Sequence, residues 1–489
     1  FELISFKVFG LNEFAARLPS VFAGAGLVSL AFLLGSLQSY GLIAAAIMLT
    51  SLKIFVLAKL AITDMTLAFF ICAAISFFYL SYRDRLEIKQ KFALGAKRSS
   101  AWLILSFVMM GFGVLCKGPV ALVLPAIIII GFLVYEKELV TFVADTWLDI
   151  AFGFLIFLAM TLPWYIAVHL MTDGAFTKEF FLSHNLSRFT EVHTGHGAPF
   201  WFYLPVVLVG VFPWTFFLLQ AILYKDSSAG LNQRSDSAKA THQMHFCLLW
   251  AAVVLVFFSL SKTKLPTYIL PLYLPLALVL ARWWSIKFKV VKANGYKNLD
   301  ALVGCALFAL VIIVADLLLA FVFKAKILEV YSASIFMPIA IISFLFISAA
   351  IIAMTAILNN GRFAFMAILI ASSISYLVAV HFVMRPFAYA RDAGTKEFVQ
   401  TLEHDDRLVS YGAHRARFEF YGKREIPKLN HVALFQYLEE GPGYFVTHHR
   451  YLRKFNKYSN KHKTIEGPLY TKSPASSDLY FIGRSNFQN

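Results

Sequence analysis

Charge is scarce in this chain. Only 15% of its 489 residues are Asp, Glu, Lys or Arg, against about 25% in a soluble domain. Apolar residues make up 59% and the mean hydropathy is +0.69. That balance reads as a membrane protein, in which the bilayer rather than a water-excluding core supplies the apolar surroundings. Acidic residues are scarcer than basic ones, 28 against 44, which leaves a formal charge of +16. No RNA- or DNA-binding motif accompanies that surplus. The basic residues concentrate in loops and in the C-terminal tail, so anionic lipid fits them better than nucleic acid.

Cysteine is equally sparse. Cys72, Cys116, Cys247 and Cys305 all lie in apolar runs, without CxxC or zinc spacing, and read as buried free thiols. The tail has none, so it is not stapled by disulfides. Internal repeats and low-complexity segments are absent. No signal peptide is visible, and the opening at Phe1 reads as the continuation of a preceding piece.

What the chain has in quantity is long apolar runs. A spanning helix needs roughly 20 such residues. Candidate spans fall at 18–37, 40–58, 64–82, 101–116, 118–135, 148–168, 200–223, 246–261, 266–283, 301–323, 336–358 and 364–383. Lysine and arginine in short loops mark the cytoplasmic side. The loop 83–100 carries Arg83, Arg85, Lys89, Lys91, Lys97 and Arg98, and Lys287, Lys289, Lys292 and Lys297 follow the ninth span. Odd-numbered spans therefore end in the cytoplasm. The turns at 59–63, 117, 169–199, 262–265 and 324–335 face outward, as does everything after 384. Residues 225–241 read as a flexible cytoplasmic loop.

From 384 onward the character changes. Leu408–Tyr411, Phe418–Tyr421, Tyr444–Thr447 and Leu479–Ile482 read as short strands, Thr395–Leu402 and Val432–Leu438 as helices, with glycines between them. The domain organisation is thus 1–383 in the membrane and 384–489 as a small extracytoplasmic α/β domain.

The polar groups that stand out sit at the outward turns. Asp64 begins a span, where a carboxylate complements the helix dipole. It is also a candidate for orienting an acceptor or a cation. Lys117 lies in Cys116-Lys117-Gly118-Pro119, between two spans with almost no loop. It is either a lysine reaching the interface or an anion contact at a helix junction. Arg188 has the fork that grips a phosphate, although its loop also reads as an amphipathic rest on the membrane. His193 and His196, with His184 and Glu191 nearby, are metal candidates of loose spacing. Lys262, Lys264 and Tyr268 share one turn, where two cations beside the lipid boundary suit a lipid-borne phosphate. Pro163-Trp164-Tyr165 and Pro213-Trp214 read as interfacial packing. Asp316, inside the tenth span, has no evident partner.

Several segments occur in a telling order: Asn12-Glu13-Phe14-Ala15-Ala16-Arg17-Leu18-Pro19-Ser20, Leu60-Ala61-Ile62-Thr63-Asp64-Met65, Lys117-Gly118-Pro119, Leu162-Pro163-Trp164-Tyr165, Asn185-Leu186-Ser187-Arg188-Phe189 and Lys264-Leu265-Pro266-Thr267-Tyr268-Ile269-Leu270-Pro271. Together they resemble the bacterial polyprenyl-phosphate-dependent glycosyltransferases, nearest the group that places 4-amino-4-deoxy-L-arabinose on lipid A. That group is related to the protein O-mannosyltransferases and has the GT-C membrane fold. By motif the similarity runs from Asn12 to about Pro271.

The resemblance implies a multi-pass enzyme of the bacterial inner membrane, with its active site and C-terminal domain facing the periplasm. A sugar passes from a polyprenyl-phosphate donor to lipid A or another acceptor outside the cytoplasm, with inversion. No nucleotide sugar or other cofactor is required, and a divalent metal stays open. Lys117, Arg188, Lys262, Lys264 and Tyr268 fall on the donor phosphate and Asp64 on the acceptor side. The family's catalytic aspartate and Lys-Pro-Pro-like motif are expected before residue 1, so the chain as it stands is expected to be inactive. A transporter or flippase of lipid-linked sugars would also need many spans and fixed cations. It should show polar residues deep in several spans and paired broken helices, whereas here the charges gather at span ends. An oligosaccharide polymerase or ligase, or a protein O-mannosyltransferase-like enzyme, would differ in its acceptor.

Overall fold

All twelve apolar stretches contain helix in the computed structural model, which describes residues 1–91, 101–180, 198–224, 234–289, 299–322, 336–357, 360–402, 406–411, 416–440, 443–448, 469–470 and 480–484. The chain divides into two compact units, Phe1–Ile312 with Phe346–Ser373, and Ile313–Leu345 with Ile374–Asn489.

In the first unit, a short helix α1 (Glu2–Phe9) precedes α2 (Glu13–Ser36). The Asn12 side chain caps α2 by accepting from the Ala15 amide at 2.8 Å. Then come α3 (Gly41–Thr50), α4 (Leu52–Leu57), α5 (Thr63–Lys91), α6 (Ala101–Lys117), α7 (Val120–Tyr135) and α8 (Leu139–Met171). Next are α9 (Tyr203–Val211), α10 (Leu218–Leu223), α11 (Arg234–Leu260) and α12 (Tyr273–Lys289). Three more helices follow, α13 (Leu299–Val322), α14 (Phe336–Ile357) and α15 (Gly361–Ala379), each of them divided between the first and the second unit.

Among the described residues, five helices are by themselves long and apolar enough to cross a membrane: Glu13–Ser36, Thr63–Glu87, Leu139–Met171, His242–Leu260 and Gly361–Met384. A sixth is added if Phe200–Val211 and Trp214–Leu223, bent by 109°, form one span. Helix α5 is central, with 83% of its apolar window buried in protein, whereas α8 has only 17% buried and turns most of its surface outward. At 1.5 Å per residue, α8 is about 50 Å long and exceeds a hydrocarbon core of about 30 Å.

Two of the expected spans are broken. The run 40–58 divides at Ser51, which is extended, and 200–223 divides at Phe212-Pro213. The breaks complete each other: the Leu52 amide donates to the Phe212 carbonyl at 3.0 Å, and Trp214 Nε1 donates to Thr50 Oγ1 at 3.0 Å. Freed backbone groups inside an apolar medium must find such partners. Trp214 is accordingly a core residue, fully buried and stacked on Phe365 at 4.9 Å, and not the interfacial anchor expected from sequence. The ninth span starts late, because residues 266–269 form turns and the helix proper begins at Tyr273. Residues 234–241, expected in a flexible loop, are the first turns of α11.

The second unit holds α16 (Arg385–Thr401), β1 (Leu408–Tyr411), α17 (Ala416–Gly422), α18 (His431–Glu439), β2 (Tyr444–His448), β3 (Leu469–Tyr470) and β4 (Tyr480–Arg484). The sheet order is β1-β2-β4-β3, with β1 and β2 parallel and the other pairs antiparallel. Side chains alternate across β1 and β2. Val409, Tyr411 and Phe445 pack with Leu434 and Tyr437 of α18 on one face. Leu408 and Val446 pack with Phe398 and Phe418 on the other. Coverage on both faces fits an α/β arrangement. Burial pushes the Tyr437 phenol up to about 12, against the opposing pull of Arg407 and Arg424.

Phe418–Tyr421, expected as a strand, is helical. Four aromatic-rich residues are too few for a period of 2 to be told from 3.6. The contacts decide: Phe418 buries against Ile426 and Val446, while Glu419 Oε1 accepts from the Ile426 amide at 3.2 Å.

Candidate active site

The site is built where the start of α5 meets the end of α6. Asp64 stands in the first turn of α5 and Lys117 in the last turn of α6. Each charge therefore complements the dipole of its own helix. The Lys117 ammonium forms an ion pair with Asp64 Oδ1. Neither side chain is sealed off, at 16% exposure for Asp64 and 27% for Lys117.

The backbone around the pair is well held. Gly118 ends α6 with φ +97°, a conformation that side chains rarely adopt, and its amide donates to the Val114 carbonyl at 2.8 Å. Pro119 then opens α7 with no amide left to satisfy. The Tyr165 hydroxyl donates to the same Val114 carbonyl at 3.1 Å. On the α5 side, Ser20 Oγ of α2 donates to the Ile62 carbonyl at 3.0 Å, which fixes the turn before Asp64. The Cys116 thiol lies 3.9 Å from the Thr63 carbonyl. Among the described residues the cysteines are free thiols, three of them buried and Cys116 partly so.

A third element arrives from the turn after α11. The Tyr268 ring centroid lies 5.6 Å from Lys117 Nζ, within reach of a cation–π contact. Tyr268 also packs on Phe258 at 5.6 Å. The two lysines of this turn part company. Lys262 is exposed and has no partner among the described residues. Lys264 is 7% exposed, and its Nζ donates to the Ser261 carbonyl at 2.5 Å.

The structure thus brings Asp64, Lys117 and Tyr268 together and turns Lys264 inward. Arg188, His184, Glu191, His193 and His196 lie outside the described residues, as does the side chain of Asp316, which is in α13. Among the described residues no group of three or more His, Cys, Asp or Glu converges as a metal site. Sequence reading missed the direct Asp64–Lys117 contact, assigning the two to different substrates. Their signal was present, in opposite charges at opposite helix ends of neighbouring spans.

A fixed cation shared between a carboxylate and an aromatic face, open on one side, can take an anionic oxygen in exchange for the carboxylate. Over 99% of its length the chain superposes on the crystal structure of ArnT from Cupriavidus metallidurans bound to undecaprenyl phosphate, covering 86% of that chain, with a TM-score of 0.67 and 19% identity. The apo structure of the same protein gives 0.72 and 18%.

This is the GT-C fold. Within it, residues 1–173 match the family described as dolichyl-phosphate-mannose-protein mannosyltransferase. The chain is 33% identical over 224 residues to the undecaprenyl phosphate-alpha-4-amino-4-deoxy-L-arabinose arabinosyl transferase of Photorhabdus laumondii, over 44% of this chain and 38% of that one. It is 32% identical over 321 residues to the protein of that name from Yersinia pestis, over 64% and 54%. The chain therefore spans about half or less of the length of these curated relatives. The resemblance to polyprenyl-phosphate glycosyltransferases holds, and the GT-C fold places the Asp64–Lys117–Tyr268 cluster at one end of its helices.

Proposed function

We propose that this chain carries the membrane portion of a glycosyltransferase that moves a sugar, 4-amino-4-deoxy-L-arabinose or a related pentose, hexose or hexosamine, from a polyprenyl-phosphate donor to lipid A or another acceptor outside the cytoplasm. The observation that carries the reading is the open cationic cluster of Lys117 and Tyr268, with exposed Lys262 on the turn that carries Tyr268. The undecaprenyl phosphate held by the ArnT structure of like fold supports it.

The chemistry balances simply. The bond between the anomeric carbon and the phosphate oxygen breaks, and the acceptor oxygen forms a new bond to that carbon. The polyprenyl phosphate departs with the electron pair of the broken bond, and its freed oxygen takes up the proton that the acceptor gives up. Lys117, Lys262, Tyr268 and Arg188 stabilise the phosphate as negative charge grows on it. Asp64 has an accessory part: it orients Lys117 until phosphate takes its place, and it is then released toward the acceptor. The reaction needs no nucleotide. We place the protein in the bacterial inner membrane, with this cluster and the α/β unit on the periplasmic side, in keeping with the basic loops at the opposite helix ends.

The test is transfer by the purified full-length protein in detergent. Undecaprenyl-phosphate-linked aminoarabinose and lipid A are supplied, and the lipid is weighed by mass spectrometry, with and without a chelator. One added aminopentosyl residue is expected. Lipid A left unmodified with every pentose, hexose and hexosamine donor would sink the reading. A peptide acceptor belongs in the same assay, because the matching family description names a protein mannosyltransferase. Sugar on the peptide and none on lipid A would move the acceptor to that class.

A further inference from the structure

The turn from Ser261 to Ile269 carries two lysines two residues apart, and only one of them faces outward. Lys264 is buried, with its ammonium on the Ser261 carbonyl at 2.5 Å, just past the last residue of α11. Partial negative charge gathers on carbonyls at a helix C-terminus, so an ammonium is well placed there. Buried Ser261 donates from Oγ to the Thr263 carbonyl at 3.0 Å, which closes the same small loop. The next carbonyl but one, that of Leu265, receives two bonds. Tyr203 of α9 donates its hydroxyl at 3.2 Å, and the Tyr268 amide donates at 3.1 Å. Two sets of bonds, one closing Ser261–Lys264 and one holding the Leu265 carbonyl, thus fix consecutive stretches of the backbone that leads to Tyr268, whose ring lies 5.6 Å from Lys117 Nζ.

We infer that Lys264 is a positioning residue: its buried ammonium ties the turn to the carbonyl end of α11 and so sets Tyr268 against Lys117, leaving Lys262 as the turn's cation toward the phosphate. The inference rests on reading this cluster as the donor site. It divides two lysines that sequence treats alike, one that meets the ligand through its charge and one that acts through Tyr268.

Two measurements on the full-length protein in phosphatidylcholine vesicles test it. The first is labelling with a water-soluble amine reagent, followed by peptide mass spectrometry. Lys262 should react and be protected by undecaprenyl phosphate, while Lys264 reacts only after denaturation. Equal labelling of both in the native protein overturns the inference. The second is a double-mutant cycle on the dissociation constant for undecaprenyl phosphate. Lys264→Met and Tyr268→Ala should each weaken binding roughly tenfold, and the double variant should be no worse than the weaker single one. Lys262→Gln and Lys264→Met should instead multiply. Lys262→Gln should also flatten the dependence of binding on salt, which Lys264→Met should leave in place. If Lys264→Met multiplies with Tyr268→Ala and flattens the salt dependence, Lys264 touches the phosphate itself and the assignment is wrong. Should Lys264→Met fail to fold, the labelling pattern of the unmutated protein still decides. A wild-type protein that does not bind undecaprenyl phosphate would overturn the donor-site reading, whereas the labelling judges the seat of Lys264 separately.

Discussion

Helix α5 ends in an ion pair at each extremity, and the two are built to opposite purposes. At its start, Asp64 meets Lys117 and no other cation among the described residues, with both side chains partly open and an aromatic ring on the cation. Near its other end, Arg85 is only 9% exposed and grips two carboxylates: Nε and Nη2 reach Asp145 at 2.9 Å and Nη2 reaches Glu138 at 3.0 Å. Glu138 is further engaged by Thr141 Oγ1 at 2.5 Å, and the guanidinium lies 5.5 Å from the Phe142 ring. Arg85 is already neutralised by two carboxylates and closed in by packing, so that even its Nη1, which has no hydrogen-bond partner among the described residues, is out of reach of a new anion. A cation with one carboxylate and an open side can exchange it. Identical chemistry thus locks α5 to α8 at one end and leaves a partly open cation at the other.

The comparison breaks most severely at Lys117. Lys117→Met should lower transfer by about 10²–10³-fold, the scale seen when a group stabilising transition-state charge is removed. The unfolding midpoint should move little. A comparable loss of stability would make Lys117 structural, like Arg85. The converse change, Arg85→Met, removes a buried guanidinium but leaves carboxylates that water still reaches, Glu138 at 30% and Asp145 at 46% accessible, and should cost about 1–2 kcal/mol. Denaturation in detergent reads that loss, and turnover per folded molecule should remain at the wild-type level. A lost turnover with unchanged stability would erase the contrast.

Smaller changes sharpen it. Tyr268→Phe keeps the ring beside Lys117 and removes only the hydroxyl. A drop in transfer of about fivefold is expected, the worth of one hydrogen bond of about 1 kcal/mol. Donor titration should show whether the loss lies in binding. Arg17→Ala removes an exposed pair with Glu13, whose side chains are 46% and 37% accessible. It should shift stability by no more than about 0.5 kcal/mol. A larger shift would mean that exposure is a poor guide to these pairs.

Much of the helical layout was legible, because an apolar run of about 20 residues has few alternatives in a bilayer. The interruptions were not. Thr50-Ser51 is neutral in a hydropathy scan, and what opens the chain there is a bond from Leu52 to Phe212, 160 positions away, that no local window contains. Asp64 and Lys117 were singled out by charge at span ends, but their direct pairing depends on how α5 packs against α6. Lys262 and Lys264 could not be ranked, since a turn, unlike a helix or strand, has no fixed period to say which side chain faces in. In the α/β unit, β1 and β2 were readable from β-branched and aromatic runs. Phe418–Tyr421 shares that composition and folds as a helix under tertiary contacts.

The bond between Leu52 and Phe212 has a consequence for change in this protein over time. Each interruption supplies the group that the other lacks. A substitution that straightened α3 into α4 would leave the Phe212 carbonyl without its donor, and one that straightened the second stretch would strand the Leu52 amide. Neither repair is open alone, so the two discontinuities are inherited as a pair, and a chimera that takes one from a relative must take both.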